Sequence, residues 1–259
     1  MAIIFLVFSF AAIIIGFIME GGHVASLLGV TSLIIVLGGT IGATALSTPV
    51  DLLGKAGKAF IIALFKGKKK LLPTIQQIYE ISDGARKEGL LSLEKRMGDA
   101  NVGAFLKMGM TLAVDGASNE RIKDFLELEI EQMSQRHKDV LKIYELAGGY
   151  APTMGILGTV MGLVHVLGNL AEPETLGGSI AAAFLATLYG IGTANLIFLP
   201  IANKLKALNE REINERLMET EGILSIALGE NPKQIVEKLK LFLPKSEHAE
   251  FNKLYASNN

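Results

Sequence analysis

Long apolar runs, rather than regularly spaced stripes, dominate the pattern of hydrophobic and polar positions along this chain. Four of these runs are each about 20 residues long, the length that a helix needs to cross the hydrocarbon core of a bilayer. They cover residues 2–19, 27–47, 150–171 and 179–203. The short connectors EGGHVAS and EPETLGG separate the runs within each pair. The pattern therefore predicts two transmembrane helical hairpins.

The positive charges predict how these hairpins are oriented. All 25 Lys and Arg residues lie in residues 55–142 and 204–253. Because Lys and Arg mark the cytoplasmic side, we expect both blocks and both termini in the cytoplasm and both connectors outside. The first run lacks a basic leader and a small-residue cleavage site, so we expect it to be retained. The predicted organisation is a hairpin (1–50), a cytoplasmic domain (51–147), a second hairpin (148–203) and a cytoplasmic tail (204–259).

Composition supports a membrane protein and narrows its chemistry. Half of the residues are hydrophobic, 20% are charged, and the mean hydropathy is +0.40. The net charge of −1 gives no reason to expect a nucleic-acid partner. The chain has no cysteine, which excludes disulfides, thiolate catalysis and Cys-ligated metal. No alternation typical of strands occurs, so the predicted fold class is an all-α membrane protein with four transmembrane helices.

The predicted cytoplasmic blocks read as helical. The stretch PTIQQIYEI predicts a capping box, with Thr74 as the N-cap and Gln77 three residues later. Gly89 is expected to separate two short helices. A helix that starts at Asn119, with Phe125 on its apolar face, is expected to reach Gly148-Gly149 and continue into the third run. Asn231-Pro232 predicts the start of a helix in the tail.

A short apolar run precedes a basic cluster at the start of the cytoplasmic domain. Ala59–Phe65 is too short to span a bilayer, and KGKKK follows it at Lys66–Lys70. This pair predicts an interfacial helix held against anionic lipid headgroups. A soluble helix followed by a solvated run of charge is the alternative.

The third and fourth runs each carry a face of small residues with one threonine near its middle. The two faces consist of Pro152, Gly155, Thr159 and Gly162, and of Ser179, Ala183, Thr187, Gly190 and Ala194. Small residues let helices approach closely, so Gly155, Gly158, Gly162 and Gly190 are predicted packing positions. Gly158 and Gly162 form a small-xxx-small pair, as do Gly38 and Gly42, and neither pair is specific. Thr159 and Thr187 could line a wet path, or each could satisfy itself on a preceding carbonyl.

No acidic residue lies inside any predicted span, although carboxylates are the usual carriers of H⁺ or Na⁺ in membranes. If an ion crosses here, a partner chain has to supply the carboxylate. His165 is a functional candidate in the third run, and a hydrogen-bonded packing role is its alternative. The stretch GGTIGA lacks the context of a dinucleotide site, and the four histidines have no metal-ligand spacing. The sequence therefore predicts no catalytic residue, no metal site and no enzyme.

Two prolines lie near the predicted cytoplasmic ends of the third and fourth spans. Proline removes a helical hydrogen bond and kinks the helix. Pro152 and Pro200 could therefore form a hinge between the membrane and the cytoplasm. The alternative is that each proline marks the end of a helix.

The stretches APTMGILGTVMGLVHVLGNL and AAAFLATLYGIGTANLIFLPIANKL closely resemble the A subunit of the bacterial flagellar stator, the MotA/PomA type. The order of two spans, a cytoplasmic block, two spans and a charged tail is also similar to that family. The stretch GARKEGLLSLEKR resembles the segment with which the family contacts the rotor. The resemblance covers essentially the whole chain and is strongest over residues 150–205.

The resemblance implies roles for particular residues. Arg86 and Glu94 match the rotor-binding positions and would pair with charged side chains of a rotor switch-complex protein. Pro152 and Pro200 match the family's two prolines. Thr159 and Thr187 match the threonines associated with the coupling ion in sodium-driven members.

The resemblance also implies partners and a coupling ion. Five copies of the A subunit are expected to surround two copies of a B subunit, which supplies the intramembrane aspartate. Ion binding at that aspartate would turn the ring against the rotor. Ala186 precedes Thr187 where some sodium-type members have two threonines, whereas proton-type members often have alanine at the position of Thr159. The balance favours Na⁺ over H⁺.

Three other interpretations remain open from the sequence. An energiser of envelope transport of the ExbB/TolQ type would usually have three spans and an outward N-terminus. A stand-alone ion channel or transporter would conduct ions without a partner. A scaffold without an ion path would tolerate loss of both threonine hydroxyls.

Overall fold

A computed structural model describes residues 2–67, 70–171 and 173–255 of the chain. Within these residues the ordered structure is helical and no strand occurs, which confirms the predicted all-α fold class. The helices, numbered along the chain, are α1 (Ala2–Met19), α2 (Val30–Leu33), α3 (Gly39–Leu46), α4 (Val50–Phe65), α5 (Leu72–Glu88), α6 (Ser92–Met97), α7 (Ala104–Val114), α8 (Asn119–Gly168), α9 (Pro173–Thr193), α10 (Leu199–Ala227), α11 (Pro232–Leu239) and α12 (His248–Tyr255).

Short 3-10 and π segments complete the helical structure. The 3-10 segments are Val24–Leu27, Lys240–Phe242 and Lys245–Glu247. A π turn at Ile34–Gly38 joins α2 to α3, and a second at Ala194–Phe198 joins α9 to α10. The second and fourth apolar runs therefore each contain one wide turn inside an otherwise α-helical segment.

Among the residues that the structure describes, three helical segments are long and apolar enough to cross a membrane: Val24–Leu46, Asn119–Gly168 and Leu176–Ala227. The first apolar run forms the shorter helix Ile3–Met19, to which Ala2 adds one residue. At about 1.5 Å per residue, α1 is about 27 Å long, close to the thickness of the hydrocarbon core. All four predicted spans are thus helical along most of their length.

The chain divides into two compact units. The first contains Met1–Lys66 and Arg136–Leu208, and the second contains Gly67–Gln135 and Asn209–Asn259. The first unit thus includes the four apolar runs together with α4. The second unit holds α5, α6, α7, α11 and α12, together with the first part of α8 and the last part of α10.

In the first unit, α4 packs through alanine onto α8 and α10. Ala59 and Ala63 are buried against Tyr144, Ile201 and Ala202. The Tyr144 hydroxyl donates to the carbonyl oxygen of Ala56 at 2.6 Å. This contact fixes the side of α4 that faces its own chain, while Ile61, Ile62 and Phe65 are exposed. An interfacial position for α4 remains a prediction, and Lys68 and Lys69 of its basic cluster lie outside the described residues.

Two polar contacts fasten the second apolar run to the fourth. The Tyr189 hydroxyl of α9 donates to the carbonyl oxygen of Leu27 and accepts from the Gly29 amide at 2.8 Å. The Ser32 hydroxyl donates to the carbonyl oxygen of Ala182 at 2.7 Å. Tyr189 thereby satisfies backbone groups at the break before α2, where no helical partner is available.

The second unit has a core of large aliphatic and aromatic side chains. The fully buried members include Ile75, Ile78, Leu93, Leu106, Met110, Ile122, Leu126, Met218, Ile223, Ile235, Leu239 and Phe251. Gly89, at φ +84°, follows the last residue of α5 and lets the chain turn into α6, as expected. The Asn231 side chain caps α11 by accepting from the Lys233 amide at 3.0 Å, which confirms that predicted start.

Two local predictions for the helical blocks are wrong. Helix α5 begins at Leu72, and Thr74 lies buried inside it, so Thr74 and Gln77 form no capping box. Pro73 occupies the first turn, where its fixed φ suits a helix and its missing N–H costs nothing.

Helix α8 starts at Asn119 and runs without interruption through Gly148-Gly149 and Pro152, so its predicted continuation into the third span is confirmed. The second error concerns the buried face of this helix. Phe125 is 46% exposed rather than part of the buried face, which Ile122, Leu126 and Ile130 form.

Candidate functional site

The threonines of the two small-residue faces meet in the first unit. The Oγ1 atoms of Thr159 on α8 and Thr187 on α9 are 2.5 Å apart. The Thr159 Oγ1 also lies 2.9 Å from the carbonyl oxygen of Ala183 and 3.1 Å from that of Gly155. The two hydroxyls that the sequence marked separately thus form one polar contact between two apolar helices.

The number of protons and lone pairs on the two hydroxyls determines what this pair can bind. Each hydroxyl has one proton to donate and two lone pairs to accept with. If Thr159 donates to the nearer carbonyl, that of Ala183, then Thr187 donates to Thr159. The Thr187 oxygen then keeps two lone pairs and the Thr159 oxygen keeps one. Such oxygens suit a hard monovalent cation, although two neutral hydroxyls alone do not balance its charge.

Glycine makes this contact possible. A Cβ added at Gly190 would lie 2.6 Å from the carbonyl oxygen of Ala151, and one at Gly155 would lie 2.9 Å from that of Ala186. Since both neighbours are backbone atoms, a larger side chain would force the helices apart. Gly158 and Gly162 lie against Ala186 and Ala183 in the same contact. All four glycines predicted as packing positions therefore lie between helices of this one chain, and a role between subunits stays a prediction.

The two prolines lie in different local surroundings. Pro152 is inside α8, two turns before Thr159, so the interpretation of it as a helix end is wrong. Pro200 is the second residue of α10, directly after the π turn at Ala194–Phe198, and it is exposed. Proline cannot donate to the carbonyl four residues earlier, so both positions interrupt the helical hydrogen bonds. A hinge role remains a prediction.

A hydroxyl face on the second apolar run escaped the sequence analysis. Ser32, Thr40, Thr44 and Thr48 recur at intervals of four and eight and are all buried. The Thr48 hydroxyl donates to the carbonyl oxygen of Thr44 at 2.8 Å, whereas the Thr40 and Thr44 hydroxyls have no partner among the described residues. Spacing by multiples of four was the available signal. Gly38 and Gly42, noted instead as a small-residue pair, lie on the exposed side.

His165 is exposed, and its side chain lies beside that of Asn169, which directly follows the end of α8. The Asn169 amide lies 3.3 Å from the His165 Nδ1 and donates to the His165 carbonyl oxygen at 2.9 Å. In the described part of the chain, no three His, Asp or Glu side chains cluster closely enough to hold a metal ion.

Arg86 and Glu94 are exposed in the second unit, at the end of α5 and in α6. Their neighbours are ion-paired: Lys87 lies 2.6 Å from Asp83, whose hydrogen bond raises the pKa of Lys87, and Lys95 lies 3.6 Å from Glu88. The side chains of Arg86 and Glu94 form no ion pair or hydrogen bond with any residue that the structure describes. Both are therefore exposed charges without a partner in the described part of the chain.

Long apolar helices with a hydroxyl contact between them, and a separate helical unit with exposed surface charges, define a helical membrane protein. Comparison with protein families agrees with this class. Residues 98–218 match the model of the MotA/TolQ/ExbB proton channel family, and residues 3–89 match that of the motility protein A N-terminal region.

Similar proteins narrow the class further. The chain is 38% identical to motility protein A of Bacillus subtilis (strain 168), over 96% of this chain and 93% of that protein. It is 35% identical to the chemotaxis protein PomA of Vibrio alginolyticus, over 94% and 95%. The chain therefore belongs to the motility protein A family, the MotA/PomA type of flagellar stator subunit.

Solved structures agree with this assignment. The fold matches a chain of the C. jejuni MotAB structure with a TM-score of 0.89 at 33% identity, covering 94% of this chain and 95% of that chain. It matches a chain of the flagellar MotAB stator complex from Bacillus subtilis with a TM-score of 0.88 at 37% identity, covering 96% and 97%. The family and the apolar helices indicate a protein of the bacterial inner membrane.

Proposed function

We propose that this stator subunit combines with a B subunit to form an ion-conducting complex, in which cation flow turns a ring of A subunits against the rotor. The observation that carries the proposal is the Thr159–Thr187 hydroxyl pair in a chain whose predicted spans contain no carboxylate. The related Bacillus subtilis and C. jejuni structures are MotAB complexes, which supports the B subunit as partner. That subunit would supply the acid that the hydroxyls lack.

The free lone pairs at the hydroxyl pair favour Na⁺ as the coupling ion over H⁺. A cation that leaves water needs several oxygen ligands together with a compensating charge. Thr159 and Thr187 offer the oxygens, and an aspartate of the B subunit would offer the charge. A proton would need only the aspartate.

Swimming speed measured against external Na⁺ at fixed pH tests the coupling ion. We expect speed to rise with Na⁺, and a Thr159→Ala or Thr187→Ala substitution to raise the Na⁺ concentration required. Thr153→Ala and Thr193→Ala are matched controls, because these hydroxyls donate to carbonyls of their own helices. A flat Na⁺ response in the unmodified chain would indicate H⁺ coupling.

The chain alone should not conduct. Purified into vesicles without a B subunit, it is expected to give essentially no cation flux, whereas vesicles with both subunits should. Flux from this chain alone would favour the stand-alone channel and contradict the need for a borrowed carboxylate.

The proposed topology has four spans, with both termini in the cytoplasm. It places residues 51–147 and 204–259 in the cytoplasm and the two short connectors outside, in agreement with the distribution of Lys and Arg. Because the chain has no cysteine, single substitutions report accessibility without background labelling. We expect a membrane-impermeant thiol reagent to label Ser26→Cys in intact cells and Asn252→Cys only after lysis. Labelling in the reverse order would contradict the orientation.

The proposed assembly has five copies of the A subunit around two B subunits. Intact mass measurement of the purified complex tests the number of copies.

Pro152 and Pro200 are the proposed hinge positions of the subunit. Alanine at either proline should restore the helical hydrogen bond and stiffen the helix. We therefore expect torque to fall while the complex still assembles. Unchanged torque in both variants would remove the hinge from the proposal.

Arg86 and Glu94 are the proposed contacts to the rotor switch-complex protein. Exposed ion pairs contribute about 0–1 kcal/mol each, which suits contacts that form and break repeatedly. Reversal of both charges, Arg86→Glu with Glu94→Lys, should stall motility without changing stator assembly. Lys123→Glu is the matched control, because Lys123 is exposed in the same unit, lies outside this segment and is already paired with Glu127. Normal swimming of the double variant would contradict the assignment.

A further inference from the structure

The turn between α5 and α6 presents two leucine side chains to solvent between the two free charges. Leu90 is 37% exposed and Leu91 is 70% exposed. Arg86 lies four residues before Leu90, and Glu94 lies three residues after Leu91. Single exposed leucines are common on protein surfaces, so exposure alone is weak evidence for a binding surface. The backbone hydrogen bonds of this turn and the charged residues near the leucines are more informative.

The carbonyl oxygens of the three turn residues, Gly89, Leu90 and Leu91, each accept at least one hydrogen bond. The carbonyl oxygen of Gly89 accepts from the Ser92 amide at 3.0 Å and from the Ser92 hydroxyl at 2.7 Å. Those of Leu90 and Leu91 accept from the amides of Leu93 and Glu94 at 3.0 and 3.2 Å. Leu93, which is 1% exposed, anchors α6 in the core. Leu90 and Leu91 therefore stay on the surface unless these bonds break, and they are preorganised for contact.

The charges around the leucines indicate what kind of partner fits. In the sequence, the free cation Arg86 precedes the apolar pair and the free anion Glu94 follows it, with the exposed Arg96 two residues further on. A partner with an acidic group facing Arg86, an apolar centre, and a basic group facing Glu94 would satisfy both charges. An anionic lipid surface would attract one and repel the other. The four basic and three acidic residues in 83–96 give this segment a net charge of only +1, so a protein is favoured over a membrane.

We propose that Leu90 and Leu91 form the apolar centre of the surface that docks the rotor protein, with Arg86 and Glu94 as its charged rim. The inference rests on the proposed function and assigns different roles in rotor binding to the charged residues and to the leucines. Rim charges set encounter rate and register and are screened by salt, whereas buried apolar side chains at a centre carry most of the affinity. The leucines should therefore control how long a stator unit stays engaged.

Stator recruitment in motile cells tests this division, with the full chain expressed together with its B subunit. In Leu90→Ser with Leu91→Ser, we expect about tenfold weaker recruitment of fluorescently tagged stators to motors. The defect should change little with ionic strength, and Leu91→Met should retain recruitment. Leu241→Ser is the matched control, since Leu241 is 81% exposed in the same unit. Copurification with the B subunit should be unchanged in all variants.

The charge variants separate failure of this inference from failure of the proposed function. If Arg86→Glu with Glu94→Lys stalls motility while the double serine variant recruits normally, the leucines are not the centre and the rotor contact stands. If neither variant changes motility or recruitment, the rotor assignment of the segment and the inference both fail.

Crosslinking identifies the occupant directly. In Leu91→Cys, the only thiol of the chain can carry a photoactivatable maleimide. Illumination of motile cells should yield an adduct with the rotor protein, and Leu241→Cys should yield none. An adduct between two copies of this chain, or with lipid alone, would overturn the inference.

Discussion

In the unit formed by residues 1–66 and 136–208, helices meet mainly through glycine, alanine, serine and threonine, whereas in the other unit they meet mainly through isoleucine, leucine, methionine and phenylalanine. Large apolar side chains show the opposite distribution at the surface. Ile4, Phe5 and Phe8 of α1 are each more than 60% exposed, while the second unit buries most residues of that kind. Lipid solvates large apolar side chains as well as a protein interior does. Helices in lipid are therefore held by close backbone packing and hydrogen bonds, and helices in water by apolar burial.

The largest expected effect concerns the aliphatic core of the second unit. Leu126 is fully buried, so Leu126→Ala should lower the free energy of unfolding by about 2–5 kcal/mol through lost burial and a cavity. Leu128→Ala, in the same helix and 54% exposed, should change it little. Thermal unfolding of the detergent-purified complex measures both. Equal melting temperatures for the two variants would contradict the assignment of Leu126 to the core.

A somewhat smaller loss is expected where small residues pack in the first unit. Gly190→Ala places a methyl group 2.6 Å from the Ala151 carbonyl oxygen, so the helices must separate at a cost of about 1–3 kcal/mol. Gly192→Ala, two residues along, meets nothing within 4 Å and should be neutral or slightly stabilising. The amount of complex in membranes and its melting temperature are the measurements. An equally well tolerated Gly190→Ala would show that the helices do not meet there.

Removal of an unpaired hydroxyl should have a modest effect of the opposite sign. Thr40 is fully buried and its hydroxyl has no partner among the described residues, so Thr40→Val should stabilise the chain by up to about 1 kcal/mol. Thr48→Val should destabilise the chain instead, because the Thr48 hydroxyl donates a hydrogen bond to the backbone carbonyl oxygen of Thr44. Melting temperatures of the two purified variants should therefore move in opposite directions. A destabilised Thr40→Val would show that its hydroxyl has a partner in the assembled complex.

The smallest effect concerns a surface ion pair of the second unit. Hydrogen bonding between Lys238 and Glu230 lowers the pKa of Glu230 below 4.5 and raises the pKa of Lys238 above 10.5. The contribution of Glu230 is lost as pH falls through its lowered pKa, and that of Lys238 is lost as pH rises through its raised pKa. Lys238→Gln should therefore cost about 0.5 kcal/mol between roughly pH 5 and pH 10, and less outside this window or in high salt. Melting temperature against pH measures the difference, and a cost that grows in acid would contradict the pairing.

The sequence was most informative where one residue decides local geometry. Gly89 and Asn231-Pro232 mark a turn and a helix start that the structure contains, because a positive φ and an N-cap depend on adjacent residues. Thr74 in PTIQQIYEI was wrongly predicted to be an N-cap. The helix begins at Leu72, with Pro73 in its first turn, and Thr74 is buried in the core.

Longer-range features were harder to predict. The small-residue faces predicted close packing, but the side chains alone could not show that Thr159 reaches Thr187 rather than a partner chain. The threonines at 40, 44 and 48 were missed because threonine barely lowers the hydropathy of an otherwise apolar run. Only the choice of helix neighbours reveals which face of such a run is buried.

The two π turns each accommodate one extra residue in the second and fourth helical segments without changing the direction of the side chains that follow. A π turn contains one more residue than an α turn, and each residue of an α-helix advances the direction of side chains by about 100°. Deletion of one residue from Ala194–Phe198 should therefore convert the wide turn into an α turn and leave Pro200 and the later residues of α10 facing nearly the same direction. A single-residue deletion in the flanking α-helical turns would rotate the later side chains by about 100°, so deletions inside the two π turns should be tolerated better than deletions beside them.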